Sequence, residues 1–325
     1  MPNQKTNHVK IGISACLLGD QVRYDGGHKK NAFAVDKLGP LVEFVRVCPE
    51  LELGLGVPRE PIRLVQQQDE VRLKTSNTAE DLTDRMASYA EKRIEQLKEM
   101  DLDGFVLKKD SPSCGMERVK VHMDNGHNRK VGRGVFAEIL IREMPLLPVE
   151  EEGRLCDPVL RENFMQRVFA YRRLRQVFRK GWLPSELIRF HSTEKLLLHA
   201  HDPNRCRALG RIVSQVKHTS RRTVEQEYQA LFMETLALRA TPRRHCNVLQ
   251  RMVGYFRNSL SDEQFAEISE LIDDFKQQLV PLVAPVTLLN HYVHRFNVDY
   301  LRQQSYLSPV PKQLMCRNYT LSQSA

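Results

Sequence analysis

Seven cysteines are scattered along the 325-residue sequence, and none of them belongs to a CxxC pair. An odd number of widely spaced thiols, in a sequence whose first residues lack the apolar core of an export signal, argues against a disulfide framework. A closed zinc site needs four ligands, often supplied as CxxC pairs. Three thiolates instead suit a 4Fe–4S cluster with one iron left open to a substrate. The spacing therefore favours cluster chemistry, provided that the fold brings three thiols together.

Two polar side chains accompany these thiols at short range. Glu50 lies two residues after Cys48, and Ser111 lies three residues before Cys114, with Ser113 next to that cysteine. A carboxylate beside a metal centre can orient or deprotonate a water molecule, and a serine hydroxyl can donate or accept in the same pocket. We predict catalytic roles for Glu50 and Ser111 and a substrate contact for Ser113. The alternative for Ser111 is that it only caps a helix.

A glycine-containing run follows the first cysteine. Residues 24–29 read YDGGHK, and two adjacent glycines permit a close approach of the backbone to a ligand. Asp25, His28 and Lys29 are therefore predicted to contact the substrate, although an ordinary Asp-Gly turn explains the run equally well. There is no GxGxxG or Walker loop, so the sequence does not support a nucleotide cofactor.

The elements that must position these groups can be read from hydrophobic patterns. Short apolar runs predict strands at residues 9–14, 41–47 and 104–107, and an apolar stripe at helical spacing predicts a helix at 81–100. Strands that alternate with helices indicate an α/β domain with a parallel, Rossmann-like sheet. Ligands of such sheets bind outside the carboxyl ends of the strands.

Three cysteines follow these three strands: Cys16, Cys48 and Cys114. We predict that they converge in one crevice and hold a 4Fe–4S cluster. The alternative is that they are three separately buried apolar residues. The other four cysteines are predicted to be non-ligands: Cys156, Cys206, Cys246 and Cys316.

Several further segments complete the predicted organisation. Residues 62–65 and 70–74 read as a hairpin, whereas 134–141 fits a strand or a helix equally well. Residues 145–160, rich in proline and acids, are predicted to be a linker. We therefore expect a catalytic domain at 1–150 and an all-α domain at 151–325. Helices are predicted in the second domain at about 161–180, 184–200, 204–217, 221–239, 243–259, 261–279 and 285–303.

The charge of the chain is concentrated in its second half. Residues 1–150 carry 23 Lys+Arg and 23 Asp+Glu, whereas 151–325 carry 26 Lys+Arg and 17 Asp+Glu, which accounts for the whole net charge of +9. An arginine-rich, basic half predicts a polyanionic partner such as RNA, although basic faces are often only solvated. The residues predicted to bind RNA are Arg167, Arg172, Arg173, Arg175, Arg179, Lys180, Arg243 and Arg244.

The composition also excludes some classes of protein. No apolar run approaches the roughly 18 residues that a membrane span requires. We therefore expect a cytoplasmic protein with no membrane partner. A monomer is one of the oligomeric states that the sequence allows.

Four sequence motifs together resemble the bacterial thiouracil desulfidase family: ISACLLG (13–19), VRYDGGHKKN (22–31), VCPELELGLGVPREPIRL (47–64) and LKKDSPSCG (107–115). The resemblance implies a 4Fe–4S cluster on the three cysteines above, with catalytic roles for the acid of CPE, Glu50, and the first serine of SPSC, Ser111. Residues 161–303 resemble a domain often fused to this family. Proteins with that fusion are similar to desulfidases that remove sulfur from 4-thiouridine in tRNA, the added domain binding the RNA.

These observations predict a chemistry with no net redox change. A soft thiocarbonyl sulfur is a good ligand for an iron already held by thiolates. Water assisted by Glu50 would then attack the pyrimidine carbon, and the sulfur would leave as sulfide. Three alternatives stay open: a desulfidase of free thiouracil or thionucleosides, an iron–sulfur regulator that binds nucleic acid without turnover, and a helical domain that tethers the enzyme to a partner protein.

Overall fold

A computed structural model describes residues 9–123 and 126–321 of the chain. The chain divides into two compact units, the first ending at Cys156 and the second beginning at Asp157. This boundary lies a few residues beyond the one expected from the sequence, because part of the predicted linker belongs to a sheet.

The described part of the first unit contains strands and helices in alternation. Its strands are β1 (Val9–Ser14), β2 (Val42–Val47), β3 (Ile62–Gln67), β4 (Glu70–Thr75), β5 (Gly104–Leu107), β6 (Val119–His122), β7 (Asn128–Gly132) and β8 (Val149–Glu151). Its helices are α1 (Pro49–Glu52), α2 (Thr83–Glu99) and α3 (Val135–Glu143).

The first sheet has the strand order β2-β1-β5-β8, and all its neighbouring strands are parallel. The three predicted strands are confirmed as β1, β2 and β5. Strands β1 and β5 read as nearly continuous apolar runs, as expected of parallel strands buried on both faces. The chain moves from β1 outward to β2 and then crosses to β5 on the other side, so a topological switch point lies between the carboxyl ends of β1 and β5. The α/β class and parallel sheet are confirmed; the Rossmann-like assignment stays a prediction.

The second sheet has the order β4-β3-β6-β7 and mixes parallel with antiparallel pairs. The predicted hairpin is confirmed as β3 and β4, but β6 and β7 were not predicted. One face of this sheet is apolar and packs in a cluster with residues that start α2. That cluster contains Ile62, Leu64, Leu73, Val119 and Val121 of the sheet with Leu82 and Met86.

The structure decides one segment that was ambiguous in the sequence and corrects another. Residues Val135–Glu143 form helix α3, which buries Phe136 and Leu140. The linker predicted at 145–160 is wrong in its central part, because β8 lies within it and pairs with β5. Its acids misled the prediction, since a run of glutamates is normally solvated.

The second unit is helical in its described part, as predicted. The helices are α4 (Pro158–Val177), α5 (Pro184–His201), α6 (Pro203–Ser214), α7 (Arg221–Ala237), α8 (Pro242–Gly254), α9 (Asp262–Lys276), α10 (Val283–Arg295) and α11 (Asp299–Arg302). Helix α9 starts at Ser261, whose side chain accepts a hydrogen bond from the Gln264 backbone. No helix in residues 9–123 and 126–321 is long and apolar enough to cross a membrane.

Candidate active site

The three predicted cluster cysteines line one cavity of about 400 Å³. Cys16 lies in the turn of 3-10 helix that follows β1, and Cys48 directly follows β2. Cys114 lies in the loop after β5, at the other side of the switch point. Residues far apart in sequence are thus brought together by the carboxyl ends of three adjacent parallel strands, as the sequence predicts.

Two of these cysteines, Cys16 and Cys114, are buried, and Cys48 is partly buried. Burial and, after it, the charge of a thiolate at Cys48 raise the pKa of Cys16 to about 11. Burial likewise raises the pKa of Cys48 and, most strongly, that of Cys114. The Ser14 and Ser113 hydroxyls hydrogen-bond the Cys114 sulfur and oppose its shift in pKa. Such thiols give up their protons readily only to a metal, so they suit metal ligation better than nucleophilic attack.

The donor set also bears on the kind of metal centre that would fit. Among the residues that the structure describes, no three His, Cys, Asp or Glu side chains lie close enough together to hold a single metal ion. The three sulfurs are instead distributed around a cavity with room for a larger group. Thiolate ligands bound to separate irons are the usual arrangement of an iron–sulfur cluster. The residues present therefore fit a 4Fe–4S cluster bound by three cysteines.

Glu50 faces this cavity from helix α1. Its Oε2 accepts hydrogen bonds from Arg59 at 2.6 Å (Nη2) and 3.1 Å (Nε), and its Oε1 accepts one from the Ser113 hydroxyl at 2.8 Å. The Arg59 side chain is only 5% exposed. Arg59 also donates to the carbonyl oxygens of Val22 and Gly56, so it joins the Glu50 carboxylate to two loops.

The SPSC loop continues this network with two serine hydroxyls. The Oγ atoms of Ser111 and Ser113 are 3.0 Å apart, and Ser113 links Ser111 to Glu50. The Ser111 hydroxyl also accepts hydrogen bonds from the backbone N–H groups of Ser113 and Cys114. Ser111 therefore stabilises the turn, as the capping alternative proposed, and at the same time lines the cavity.

Helix α3 supports this loop from behind. The Gly134, Val135 and Ala137 backbone N–H groups donate to carbonyl oxygens of the loop, from Gly115, Pro112 and Ser113 respectively. A Cβ atom at Gly134 would lie 2.5 Å from the Ser113 carbonyl group, so only glycine permits this close contact. The position of the loop is thus fixed by the start of α3.

The acids in and after β8 bind the backbone on both sides of the same loop. Glu152 accepts a hydrogen bond from the Lys109 backbone at 2.7 Å and pairs with the Lys108 ammonium at 2.6 Å. Glu151 accepts one from the Met116 backbone at 2.7 Å. Burial raises the pKa of the Glu151 carboxyl. These contacts explain why a run of acids is buried here.

The glycine-containing run at 24–29 divides into two parts. Lys29 lines the cavity, and its backbone N–H donates to the Cys16 carbonyl oxygen at 2.9 Å. Asp25 and His28 are exposed and lie outside the cavity lining. The Asp25 side chain accepts a hydrogen bond from the Gly27 backbone, which lowers the pKa of its carboxyl. The turn alternative thus describes the local contact of Asp25. Substrate contact stays a prediction for Asp25, His28, Lys29 and Ser113, of which Lys29 and Ser113 line the cavity.

Arg59, Ser14 and Lys108 were not singled out from the sequence, although all three line the site. The Ser14 hydroxyl accepts a hydrogen bond from the Lys108 backbone at 3.0 Å, which joins the ends of β1 and β5. Arg59 lies within one of the motifs quoted above, but no local pattern indicates that it pairs with Glu50. The only signal for these residues is their position near a predicted strand end or within a motif.

The residues predicted to bind RNA occupy different environments in the second unit. Arg179, Lys180 and Arg243 are exposed. Arg167, Arg172 and Arg175 are half-buried on α4. Two others make structural contacts: Arg173 forms a bidentate ion pair with the fully buried Glu194, and Arg244 donates to the His201 carbonyl oxygen. The exposed residues are the best placed for phosphate contacts, and RNA binding stays a prediction for the set.

Comparisons with known proteins agree with this division into two units. Residues 11–152 match the family model described as 2-thiouracil desulfurase, and residues 195–311 match the family model for a protein of unknown function, DUF1722. The chain is similar to the uncharacterized protein YbbK of Bacillus subtilis (strain 168), with 33% identity covering 40% of this chain and 88% of YbbK. It is also similar to the uncharacterized protein YbgA of Escherichia coli (strain K12), with 28% identity covering 48% of this chain and 94% of YbgA.

A solved structure of a 4Fe–4S-dependent thiouracil desulfidase, TudS, is 32% identical and covers 46% of this chain and 93% of that chain, with a TM-score of 0.39. With YbbK matched over most of its length and the family model matched at residues 11–152, the chain belongs to the 2-thiouracil desulfurase family.

Proposed function

We propose that the first unit removes sulfur from a thiolated pyrimidine, the 4-thiouridine of tRNA, with a 4Fe–4S cluster bound to Cys16, Cys48 and Cys114. One observation carries the proposal: three cysteine thiols, a carboxylate and two linked hydroxyls line the same cavity. The family to which the chain belongs and the 32% sequence identity to the TudS desulfidase support the same chemistry.

The overall reaction exchanges one atom. A C=S group and one water give a C=O group and hydrogen sulfide, so no external oxidant or reductant is needed. When bound, the cluster supplies an open iron that acts as a Lewis acid toward the thiocarbonyl sulfur. The protein's own side chains carry out the remaining steps, which are proton transfers.

Glu50 is the group placed to take the proton of the attacking water. Arg59 holds one carboxylate oxygen and Ser113 the other, so the carboxylate cannot rotate away from the cavity. A general base is effective only when it lies within hydrogen-bond reach of the proton it removes. Because Arg59 holds the Glu50 carboxylate in place through this ion pair, Arg59 is a positioning residue.

The two serines extend this path for protons. A proton taken by Glu50 can pass through the Ser113 hydroxyl to Ser111, because the three groups form a continuous hydrogen-bonded chain. Ser111 is then placed to protonate the departing sulfur or a nitrogen of the base. The chain lines the cavity that holds the thiols, so proton transfer and sulfur departure occur in one enclosure.

The tRNA substrate is supported by charge. The half of the sequence that contains the helical unit carries 26 Lys+Arg against 17 Asp+Glu, and such an excess favours a polyanion. We propose that this unit binds the tRNA while the first unit carries the chemistry.

The proposal is tested on the full chain after anaerobic reconstitution of the cluster. The reconstituted protein is incubated with thiolated tRNA, and in parallel with free 4-thiouracil, while the thiouridine absorbance and released sulfide are followed. Loss of absorbance with stoichiometric sulfide from tRNA supports the proposal. Turnover of free 4-thiouracil alone would keep the chemistry and overturn the tRNA substrate. Binding of tRNA without any sulfide release would identify a regulator instead.

A further inference from the structure

The second sheet of the first unit has a basic face, although residues 1–150 as a whole carry no net charge. Opposite the apolar face described above, four basic residues lie side by side, one on each strand. In the strand order β4-β3-β6-β7 these residues are Lys74, Arg63, Lys120 and Lys130, and together they form the cationic row.

The register of the sheet establishes this row. Lys74 is paired directly with Arg63, and Lys120 directly with Lys130, both across antiparallel strands. In the parallel pair between them, Leu64 lies beside Val121, so the residues just before these, Arg63 and Lys120, are also neighbours. Paired residues point to the same face of a sheet. With strands about 4.8 Å apart, the row spans about 14 Å.

Placing like charges directly opposite each other destabilises a sheet, so this row needs a physical reason. The chain offers it little compensation. The Arg63 Nε is buried without a hydrogen-bond partner. Glu60 is close enough to interact electrostatically with Arg63. The Glu60 carboxylate, however, already accepts hydrogen bonds from the backbone N–H and the hydroxyl of Thr78. Lys74 donates to the neutral side chain of Gln67.

The row leads directly to the catalytic cavity. Arg63 and Lys120, its two central members, line the cavity that also contains the cysteines, and Lys120 and Lys130 are exposed to solvent. His122, next along β6 on the same face, lines the cavity too. Burial, Lys120 and Arg63 together lower the pKa of the His122 imidazole, as expected beside concentrated positive charge.

The length of the row favours one class of ligand. A single phosphate group would contact one or two of these side chains, whereas a row of about 14 Å matches several consecutive phosphates. A base that reacts in a closed pocket must leave its stack while its backbone stays outside. The phosphates that flank such a base would then pass over the rim of the cavity.

We propose that the cationic row binds the phosphodiester backbone on either side of the reacting nucleotide, so that the catalytic unit itself recognises a polynucleotide. This inference rests on the proposed desulfidase function and deepens it. It assigns part of the RNA contact to a half of the sequence whose net charge is zero.

The test compares two double variants of the full chain. K74Q/K130Q removes the two outer charges of the row, neither of which lines the cavity. K37Q/K92Q removes two exposed lysines of the same unit that lie outside the row, and serves as the matched control. For each protein, tRNA binding is measured over a range of salt concentrations. Turnover is measured on thiolated tRNA and on the 4-thiouridine nucleoside.

We expect K74Q/K130Q to bind tRNA about tenfold more weakly at physiological salt, with a salt slope shallower by about 1.4, since each lost single-strand phosphate contact contributes about 0.7. Its ratio of kcat/KM on tRNA to kcat/KM on nucleoside should fall by a similar factor. The control variant should keep the wild-type slope and ratio. Thermal melting should show no loss of stability in K74Q/K130Q, because like-charge neighbours are removed.

Each other outcome has a definite meaning. A wild-type slope and ratio in K74Q/K130Q would overturn the row as a phosphate site. Turnover of the nucleoside without any binding of tRNA would also overturn it, while leaving the desulfidase chemistry in place. If the wild-type protein releases no sulfide from either substrate, the proposed function fails, and the salt slope of tRNA binding still decides the role of the row.

Discussion

The two units bury polar groups in different ways. In the first unit, buried thiols, hydroxyls and the Glu50 carboxylate surround a cavity. In the second unit, buried charges are enclosed by their partners. Glu194 has no exposed side-chain surface and is bound by Arg173 and by the Ser305 hydroxyl, and Glu162 is bound by Gln166, Arg317 and Tyr319.

This difference teaches that burial and a shifted pKa do not by themselves identify a functional group. Burial raises the pKa of Cys206 in the helical unit to about 11, the same value as that of Cys16. The Cys206 thiol, however, donates to the Lys195 carbonyl oxygen at 3.8 Å and lies outside the cavity that contains Cys16. The distinguishing feature is whether the neighbours leave room for another molecule.

The largest expected effect tests this contrast between two buried thiols. Cys16→Ala should abolish both the cluster absorbance after anaerobic reconstitution and the release of sulfide, because two thiolates are a poor ligand set for the cluster. Cys206→Ala should retain both. Equal cluster content in the two variants would falsify the assignment of Cys16.

The second prediction compares two carboxylates that are each bound by an arginine, Glu50 and Glu194. Glu50→Gln should lower kcat by about 10²–10⁴-fold, the usual contribution of a general base. Its amide oxygen can still accept a hydrogen bond from Arg59, but the loss of the charge leaves this 5% exposed guanidinium without an ionic partner, so some stability is lost as well. Glu194→Ala should lower the stability of the helical unit by about 3–5 kcal/mol, because it leaves Arg173 as an unpaired, partly buried charge. Urea unfolding and sulfide release measure the two effects. The contrast fails if Glu50→Gln retains the turnover of the wild type.

The third prediction tests how helix α3 supports the SPSC loop. Gly134→Ala should destabilise the first unit by about 1–3 kcal/mol, since its Cβ would overlap the Ser113 carbonyl group. Gly39→Ala is the control, because its Cβ would make only ordinary contacts, the closest at 3.5 Å. Urea denaturation followed by circular dichroism compares them. Equal midpoints for both variants would show that the loop yields without cost.

The smallest expected effect lies in the helical unit and depends on pH. Burial lowers the pKa of His191 from 6.5 to about 4, and its imidazole contacts the Tyr228 hydroxyl at 3.1 Å. Because the unfolded chain takes up a proton at this histidine below pH 6.5 and the folded unit does not, stability falls as pH drops from 6.5 toward 4. Between pH 7 and pH 5.5 this amounts to about 1 kcal/mol.

The pH effect is measured by comparing the wild type with His191→Gln in urea titrations at both pH values. The variant should lose about 1 kcal/mol less than the wild type on acidification, whereas substitution of the exposed His218 should leave the difference unchanged. An identical pH dependence in the wild type and His191→Gln would contradict this account.

Much of the scaffold could be predicted from the sequence, because local patterns determine it. The apolar runs identified β1, β2 and β5, and their order implied that three distant cysteines would meet. The helical pattern of the second unit was equally visible, down to Ser261 at the start of α9. These features depend on residues close together in the chain.

The network around the candidate base could not be predicted in the same way. Ser113 and Glu50 are 63 residues apart, and their hydrogen bond exists only because two loops meet above the sheet. Arg59 lies nine residues from Glu50, but in a loop where no periodicity gives its direction. Helix α3 was ambiguous for a different reason, since a short apolar run fits a strand and a helix equally well.

The burial of β8 has a practical consequence for dividing the chain. A fragment that stops at residue 150, where composition suggests the domain ends, would lose Glu151 and Glu152, and with them the hydrogen bonds to the backbone of Met116 and Lys109. A fragment that continues to Cys156 retains both, together with Arg154, which pairs with Glu150 at 2.6 Å. The presence of residues 151–156 therefore decides whether the fragment keeps the contacts that hold the catalytic loop. A protease that cuts between the units would leave these contacts in place only if it cuts after Cys156.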